Sequence, residues 1–375
     1  MKKICFVITA EFAVRAFLIN HLKVLSVLYE ITVLVNTNNP NFLSELGVDA
    51  KVVPLRIARD ISLVSDLICL IKLIKILHQE NFASVQSITP KAGLLGMLAA
   101  WVLRVPLRIH TFQGEVWVTK TGFIRLLLIF IDKLVSKLAT NLIIVSPSER
   151  LFLVGKKIID DKKCVVFGHG SISGVNIERF KPNQQIRVST RQRLNISDEV
   201  IVFLFLGRLT KDKGVLDLAK AWCELDNLDA HLLFVGPDEQ NLQAELISIF
   251  GKDSQNVQFV GNTSIPEAYM AAADVLCLPS YREGFGTVVI EAAAVGIPAI
   301  VSRIYGLTDA VVDGETGLLH EPHDINAIKS CMEMMMHNQT LSLKLGNQAR
   351  ARAIEDFDGN QVTQHWVRFY RENLH

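Results

Sequence analysis

Short runs of β-branched and aromatic residues alternate along the chain with longer stretches whose apolar positions recur at helical spacing. In the first half, the runs 3–8, 31–36, 83–88, 107–112 and 141–146 predict buried strands. The stretches 12–28, 62–79, 91–103, 122–138 and 147–156 predict helices. The second half repeats the design, with strands expected at 200–206, 231–235, 257–260, 274–278 and 298–302. Its helices fit 214–224, 239–250, 265–273, 287–295, 324–337 and 339–355. Such alternation requires crossover connections, hence parallel strands with helices on both faces. The pattern breaks around 168–198, where Gly168, Gly170, Gly174 and Pro182 predict a linker. A last helical stretch, 360–372, carries Val362, Trp366, Phe369 and Tyr370, the spacing of a helix that packs on something. The expected fold is α/β, with two doubly wound Rossmann-like domains at 1–178 and 179–358 and a terminal helix at 359–375. Such domains bind ligands at the carboxyl ends of their strands, so two of them facing each other would enclose a cleft.

Composition narrows the class. Of 375 residues, 50% are hydrophobic and 21% charged, which excludes a disordered or low-complexity chain. No internal repeat is visible. A mean hydropathy of +0.29 raises the question of a membrane. The longest uncharged apolar stretches are only 92–103 and 126–131, whereas a span needs about 18 to 20 residues. Met1-Lys2-Lys3 precedes only Ile4-Cys5-Phe6-Val7-Ile8, too short for a signal-peptide core and better read as a first buried strand. The six cysteines form no C-x-x-C pair and sit mostly in apolar runs, as expected of buried thiols in a reducing, cytoplasmic compartment. The net charge of +1 hides a split: residues 1–181 hold 23 Lys and Arg against 13 Asp and Glu, and the remainder holds 16 against 25. A basic half favours an anionic partner such as a phospholipid surface or a phosphorylated acceptor, and no nucleic-acid partner is expected.

Two segments of the second half carry chemistry. In VIVFLFLGRLTKDKG (200–214), a buried strand ends at Gly207, Arg208 emerges after it, and Lys213 follows just before Gly214 and a helix. A planar fork and a point charge aimed into one space suit a diphosphate, and the glycines allow a tight turn and close ligand approach. In DVLCLPSYREGFGTVVIEAAAVGIP (274–298), a loop carries Glu283-Gly284-Phe285-Gly286-Thr287, and Glu291 lies about one turn into the following helix. Gly284 and Gly286 permit main-chain N–H groups to face a ligand, and the helix start adds free donors for phosphate. Both carboxylates should then turn from phosphate and accept hydrogen bonds from sugar and ribose hydroxyls. The plainer reading is a pair of strand-to-helix turns with solvated charges.

The motifs G-R-x4-K-G and E-G-F-G-x4-E resemble the donor-binding half of retaining glycosyltransferases of family 4, which have the GT-B fold. The resemblance extends over essentially the whole chain. It includes Gly174-Val175-Asn176-Ile177-Glu178-Arg179-Phe180 in the linker and Asp313-Gly314-Glu315-Thr316-Gly317-Leu318-Leu319. It implies that Arg208 and Lys213 hold the donor diphosphate, Glu283 contacts the transferred sugar and Glu291 binds the ribose. The main chain of Gly284, Phe285, Gly286 and Thr287 would line phosphate and sugar, and the terminal helix would cross back to the first domain. The reaction implied is sugar transfer from a nucleotide sugar with retention, the departing phosphate acting as base and Glu283 orienting rather than attacking. Arg208, Lys213 and the helix start would meet the leaving charge, so neither metal nor cofactor is demanded. The single D-x-D, Asp356-Phe357-Asp358, falls at a helix end, away from any strand.

In the first half, the turn Thr9-Ala10-Glu11-Phe12-Ala13-Val14-Arg15 lacks the glycines common in relatives, which suits a branch with bulky lipid-linked acceptors meeting Arg15. His110, by resemblance, meets the donor sugar; a satisfied structural histidine is the other reading. Thr89-Pro90-Lys91-Ala92-Gly93 opens a helix after a strand, and Lys91 suits an acceptor phosphate. It resembles a segment of bacterial transferases that extend polyprenyl-diphosphate-linked sugars. Arg104, Arg108, Lys120, Arg125, Lys133 and Lys137 interleave with apolar residues, as on a membrane-surface patch, or as basic faces of core helices. The expected protein is therefore a retaining, metal-independent glycosyltransferase on the inner face of the membrane. It would use a UDP-sugar, preferably an N-acetylhexosamine, and a lipid-linked saccharide acceptor in cell-surface polysaccharide assembly. A nucleotide-sugar epimerase on the same fold and a non-catalytic nucleotide-sugar-binding partner stay open as alternatives.

Overall fold

The computed structural model describes residues 1–57, 62–225 and 229–374, with the backbone alone for 252–254. The chain divides into two compact units, Met1–Ser173 with the segment from Gly359 onward, and Gly174–Asp358.

The first unit is built on seven strands: β1 (Lys3–Ile8), β2 (Glu30–Val35), β3 (Lys51–Pro54), β4 (Ser84–Ile88), β5 (Leu107–Phe112), β6 (Asn141–Ile144) and β7 (Cys164–Val165). They lie in the order β3-β2-β1-β4-β5-β6-β7, every pair parallel. Cys5 in β1 sits between Thr32 of β2 and Val85 of β4. A sheet covered on both faces needs apolar side chains throughout, which is why Ile4 to Ile8 are all buried. The crossovers are α1 (Glu11–Phe17), α2 (Ile19–Leu25), α3 (Phe42–Glu45), α4 (Leu63–Glu80), α5 (Pro90–Val102), α6 (Gly122–Leu138) and α7 (Pro147–Gly155). The single helix expected at 12–28 is two helices, broken at Leu18, whose backbone (φ −117°) leaves the helical track. The edge strand β3 went unpredicted because its KVVP has only four residues and none is fully buried.

The second unit starts with α8 (Gln184–Leu194), inside the segment expected to be linker. Its strands are β8 (Ile201–Leu206), β9 (Ala230–Val235), β10 (Val257–Gly261), β11 (Val275–Leu278), β12 (Ala299–Ser302) and β13 (Gly317–His320). They lie in the order β10-β9-β8-β11-β12-β13, again all parallel. Around them run α9 (Val215–Cys223), α10 (Gln243–Phe250), α11 (Pro266–Ala272), α12 (Thr287–Val295), α13 (Leu307–Ala310), α14 (Ile325–His337) and α15 (Gln339–Phe357). The helix expected from 239 begins at Gln243, because Asp238 accepts from the N–H groups of Leu242 and Gln243 (2.9 Å each) and holds the intervening residues as a turn. α8 has no apolar stripe. Arg187 and Arg191 anchor it to Asp274 (2.7 Å each), and Arg191, 1% exposed, also donates to the carbonyls of Ala272, Ser197 and Val200. A helix held by guanidinium groups leaves no hydrophobic periodicity to read.

The last helix, α16 (Gly359–Asn373), belongs to the first unit and packs on α2. Trp366 stacks on His21 with ring centroids 4.7 Å apart, and the Tyr370 hydroxyl donates to Gln86 of β4 at 2.5 Å. His21 bonds Thr363 and the Ile172 carbonyl (2.9 and 2.8 Å), and burial lowers its pKa to about 4, so it is neutral there. Among the described residues, no helix is long and apolar enough to cross a membrane.

Candidate active site

In both sheets the strand order reverses beside the first strand, between β1 and β4 and between β8 and β11. Loops leaving neighbouring strands in opposite directions open a crevice at that point, the usual ligand site of doubly wound folds. In the second unit the two motif segments flank the reversal: Arg208 and Lys213 follow β8, and the 279–286 loop follows β11. Gly214 locks them together. Its φ is +67°, and a Cβ there would lie 2.0 Å from the Pro279 carbonyl oxygen. The glycine expected to admit a ligand instead admits the neighbouring loop.

That approach brings Lys213 Nζ onto Glu283 Oε1, to which Ser280 Oγ also donates at 2.9 Å. Tyr281 binds the Asp212 carbonyl through its N–H (2.8 Å) and Asp217 through its hydroxyl (2.5 Å), and burial with Asp217 raises its pKa. Arg208 points elsewhere, to Glu239 at 2.8 Å, and is exposed. In this state the two candidate diphosphate cations therefore rest on different carboxylates. Phe285 is 3% exposed and packs edge-on against Phe357 at 5.2 Å, so only its main chain is left for a ligand. Gly286 (φ +81°) ends the loop, and Thr287 opens α12, whose first-turn N–H groups receive no side-chain cap. Glu291 sits one turn in. Burial raises its pKa to about 8, against a lowering pull from Arg179, which pairs with Glu267 at 2.7 Å. An uncharged Glu291 both donates and accepts, which suits a pair of hydroxyls.

In the first unit, Arg15 and Lys91 also flank a reversal, after β1 and β4. Arg15 pairs with Glu11 (2.7 Å) and lies over the Phe42 ring; Lys91 pairs with Asp66 (2.7 Å). Thr89, just before Pro90, has φ +81° and ψ 144°, a strained backbone for a β-branched residue. His110 is not at the end of its strand, which continues to Phe112. It is 3% exposed, bonds Ser87 Oγ at 2.8 Å, and burial lowers its pKa to about 3. Its ring lies against α5, where a Cβ on Gly93 would meet it at 2.5 Å.

The basic stretch divides. α5 is a core helix apart from Pro90 at its start and Trp101 and Val102 at its end. Arg108 is spent on the carbonyls of Leu138 and Val105 (2.7 Å each). α6 instead exposes Phe123, Ile124, Leu126 and Phe130 beside Arg125 and Lys137. α4 exposes Leu63, Val64, Leu67, Ile68 and Ile71 beside Lys72 and Lys75, a face that sequence reasoning passed over because the helix is apolar nearly all round. Asp356 of the D-x-D pairs with Arg352 at 3.3 Å. No group of three His, Cys, Asp or Glu among the described residues is placed to hold a metal ion.

Residues 187–352, which include Arg208, Lys213, Glu283 and Glu291, match the family model of glycosyl transferases group 1. The capsular polysaccharide biosynthesis glycosyltransferase CapM of Staphylococcus aureus is 32% identical over 329 residues, covering 87% of this chain and 85% of that protein. The chain belongs to the group 1 glycosyltransferases. A second relative of this transferase is the UDP-Gal:alpha-D-GlcNAc-diphosphoundecaprenol alpha-1,3-galactosyltransferase of Escherichia coli, 28% identical over 80% of this chain and 78% of the relative. Among solved structures, an Anabaena protein in complex with UDP and glucose superposes with a TM-score of 0.83 at 18% identity, over 99% of this chain and all of that one. Sucrose-phosphate synthase from Thermosynechococcus elongatus gives 0.82 at 21%, over 99% of each chain. These likenesses establish the GT-B fold of this group 1 transferase.

Proposed function

We propose that this group 1 glycosyltransferase moves a sugar, preferably an N-acetylhexosamine, from a UDP-sugar to a polyprenyl-diphosphate-linked saccharide, with retention and without a metal. The reading is carried by one observation: beside the reversal of the second sheet, the Lys213–Glu283 pair fastens the loop that leads into the uncapped start of α12. The donor diphosphate takes Lys213 and Arg208 from their carboxylates and receives the N–H groups of α12. Glu291 binds ribose hydroxyls. Glu283, released by Lys213 but held by Ser280, accepts from hydroxyls of the transferred sugar. The bond from the anomeric carbon to the phosphate oxygen breaks with its electron pair on the diphosphate. The acceptor hydroxyl attacks the same face, and its proton passes to the departing phosphate oxygen. His110, neutral, meets the donor sugar, and Arg15, Lys91 and the start of α5 suit the acceptor diphosphate.

The reading is supported by the functions of the Staphylococcus aureus and Escherichia coli relatives, both transferases and the second acting on a diphosphoundecaprenol-linked sugar. The exposed apolar and basic residues of α4 and α6 suit an anionic lipid surface, which supports a location on the cytoplasmic face of the membrane. The decisive experiment is nucleoside diphosphate release across a panel of nucleotide sugars, with and without a polyprenyl-diphosphate-linked acceptor. Release requiring both one UDP-sugar and the acceptor, and reduced about 10²- to 10³-fold in Lys213→Ala, is expected. Release that ignores the acceptor, or a fully active Lys213→Ala, overturns the proposal.

A further inference from the structure

The loop leaving β11 meets the start of α9 at more points than the Lys213–Glu283 pair. Gly214 packs under the Pro279 carbonyl, the Asp212 carbonyl accepts the Tyr281 N–H at 2.8 Å, and the Asp212 carboxylate lies 3.4 Å from Arg282 Nη2. The Tyr281 side chain reaches past this seam. Its hydroxyl donates to Asp217 Oδ2, in the first turn of α9, at 2.5 Å. That separation is the short one of a hydroxyl on an ionised carboxylate. Burial and the Asp217 charge keep the phenol protonated, so the hydroxyl is the donor. An acid in the first turn of a helix needs no partner to be favourable. Asp217, however, is only 8% exposed and has one. The turn after β13 adds a third side. There His323, in the left-handed region at φ +66°, stacks on the Tyr281 ring with centroids 3.9 Å apart, and its Nδ1 is 3.8 Å from Asp217 Oδ2.

Tyr281 stands in the chain between Ser280 and Glu283, whose side chains are joined at 2.9 Å. Ser280 is fully buried. Fixing residue 281 at its N–H and again at its hydroxyl therefore fixes both ends of that bond, and with it the carboxylate that Lys213 meets. We propose that Tyr281 and Asp217 are positioning residues for sugar transfer: their hydroxyl–carboxylate bond, braced by the His323 ring, holds the Glu283 carboxylate where the transferred sugar must find it. Both act through Glu283 and neither touches the donor. Donor affinity draws chiefly on the contacts of the diphosphate with Lys213, Arg208 and the start of α12. Loosening Glu283 therefore costs turnover more than affinity.

This role rests on the transferase reading of Glu283; the tie itself does not. The test uses the full-length protein as wild type, Tyr281→Phe, Asp217→Ala, Asp217→Asn and the double variant Tyr281→Phe/Asp217→Ala. Phenylalanine keeps the ring stack and the main-chain bond and removes only the hydroxyl. Asparagine keeps an oxygen that can accept from that hydroxyl. Three quantities are read at one neutral pH: kcat, the KM for donor, and amide exchange of the 279–286 segment without donor, by mass spectrometry. Tyr281→Phe and Asp217→Ala are each expected to lower kcat about tenfold with donor KM within about twofold. Exchange of the segment rises about tenfold in both. The double variant is no slower than either single one, because a single bond is lost. Asp217→Asn stays within about threefold of wild type in all three quantities. A KM that rises as far as kcat falls, additive losses in the double variant, or an Asp217→Asn as slow as Asp217→Ala overturns the inference, as does wild-type kcat in Tyr281→Phe. If Asp217→Ala does not fold, the contrast of Tyr281→Phe with Asp217→Asn decides. A wild type inactive with every donor sinks the transferase reading instead, and exchange then judges the tie, which wild-type exchange in Tyr281→Phe would end.

Discussion

Glu291 shows how far a residue's surroundings alter what its letter implies. In the sequence it is one glutamate in an alanine-rich helix; in the fold, burial raises its carboxyl to about 8. A carboxyl that holds its proton more tightly folded than unfolded contributes less to stability as the pH climbs from the unfolded value, about 4.5, through the folded one. Without donor, thermal stability should fall across that window, and Glu291→Gln should flatten the fall by about 1 kcal/mol or more, a Tm difference of about 2–4 °C at the alkaline end. Denaturation scans at several pH values check this. Gly214→Ala should cost about 2 kcal/mol or more and separate Lys213 from Glu283, because the added carbon meets the Pro279 carbonyl and the φ of +67° disfavours any side chain. Urea midpoints and diphosphate release should fall together. The loop and helix positions of Arg208, Lys213, Glu283 and Glu291 were legible because short spacings on a strand–loop–helix constrain where they stand, whereas the pairing of Arg208 with Glu239 was not. Phe285, Arg108 and His110 were less so, because the partners that bury or occupy them lie 72, 30 and 23 residues away in the chain. Ser146-Pro147-Ser148-Glu149 does carry the signature of a helix cap. Nothing local says that the glutamate reaches past the cap to Gly114.

The elements that sequence reading recovered are those whose stability comes from an apolar face. Ten strands and the long helices announce themselves by periodicity, and the two parallel sheets follow. α8 does not, since it is held by charge. Arg191→Ala should therefore destabilise the second unit by about 3 kcal/mol, leaving Asp274 and several carbonyls without their donor, whereas Arg191→Lys should recover only part. Denaturant unfolding of both variants checks it. For α6 the sequence left two readings open, a core helix or a lipid-facing one, because its apolar residues are too many for one face. The fold assigns Val135 and Leu138 to the core and leaves Phe123, Leu126 and Phe130 outside. Co-sedimentation with anionic vesicles should drop about tenfold or more in Phe123→Ser/Phe130→Ser, from the loss of about 1.5–3 kcal/mol per buried aromatic. Wild-type binding should weaken with added salt. Binding unaffected by the double substitution would assign that face to something other than lipid.

Across the whole molecule, the basic first half and acidic second half divide near the boundary between the units. The units also differ in how their chain is drawn. The second is one continuous stretch, Gly174–Asp358, whereas the first needs Trp366 and Tyr370 from α16 to fill its core. Ending the chain after Asp358 should leave amide protection in the second unit intact and abolish it around β1, α2 and β4, as hydrogen exchange would show. That layout reverses the usual order of synthesis and folding. A ribosome delivers the first unit's sheet early, but its keystone helix last, about 185 residues after the rest of that unit has emerged. The part of the protein made first is the part finished last. A half-made chain thus leaves the apolar seats of Trp366 and Tyr370 uncovered until the last helix has been made.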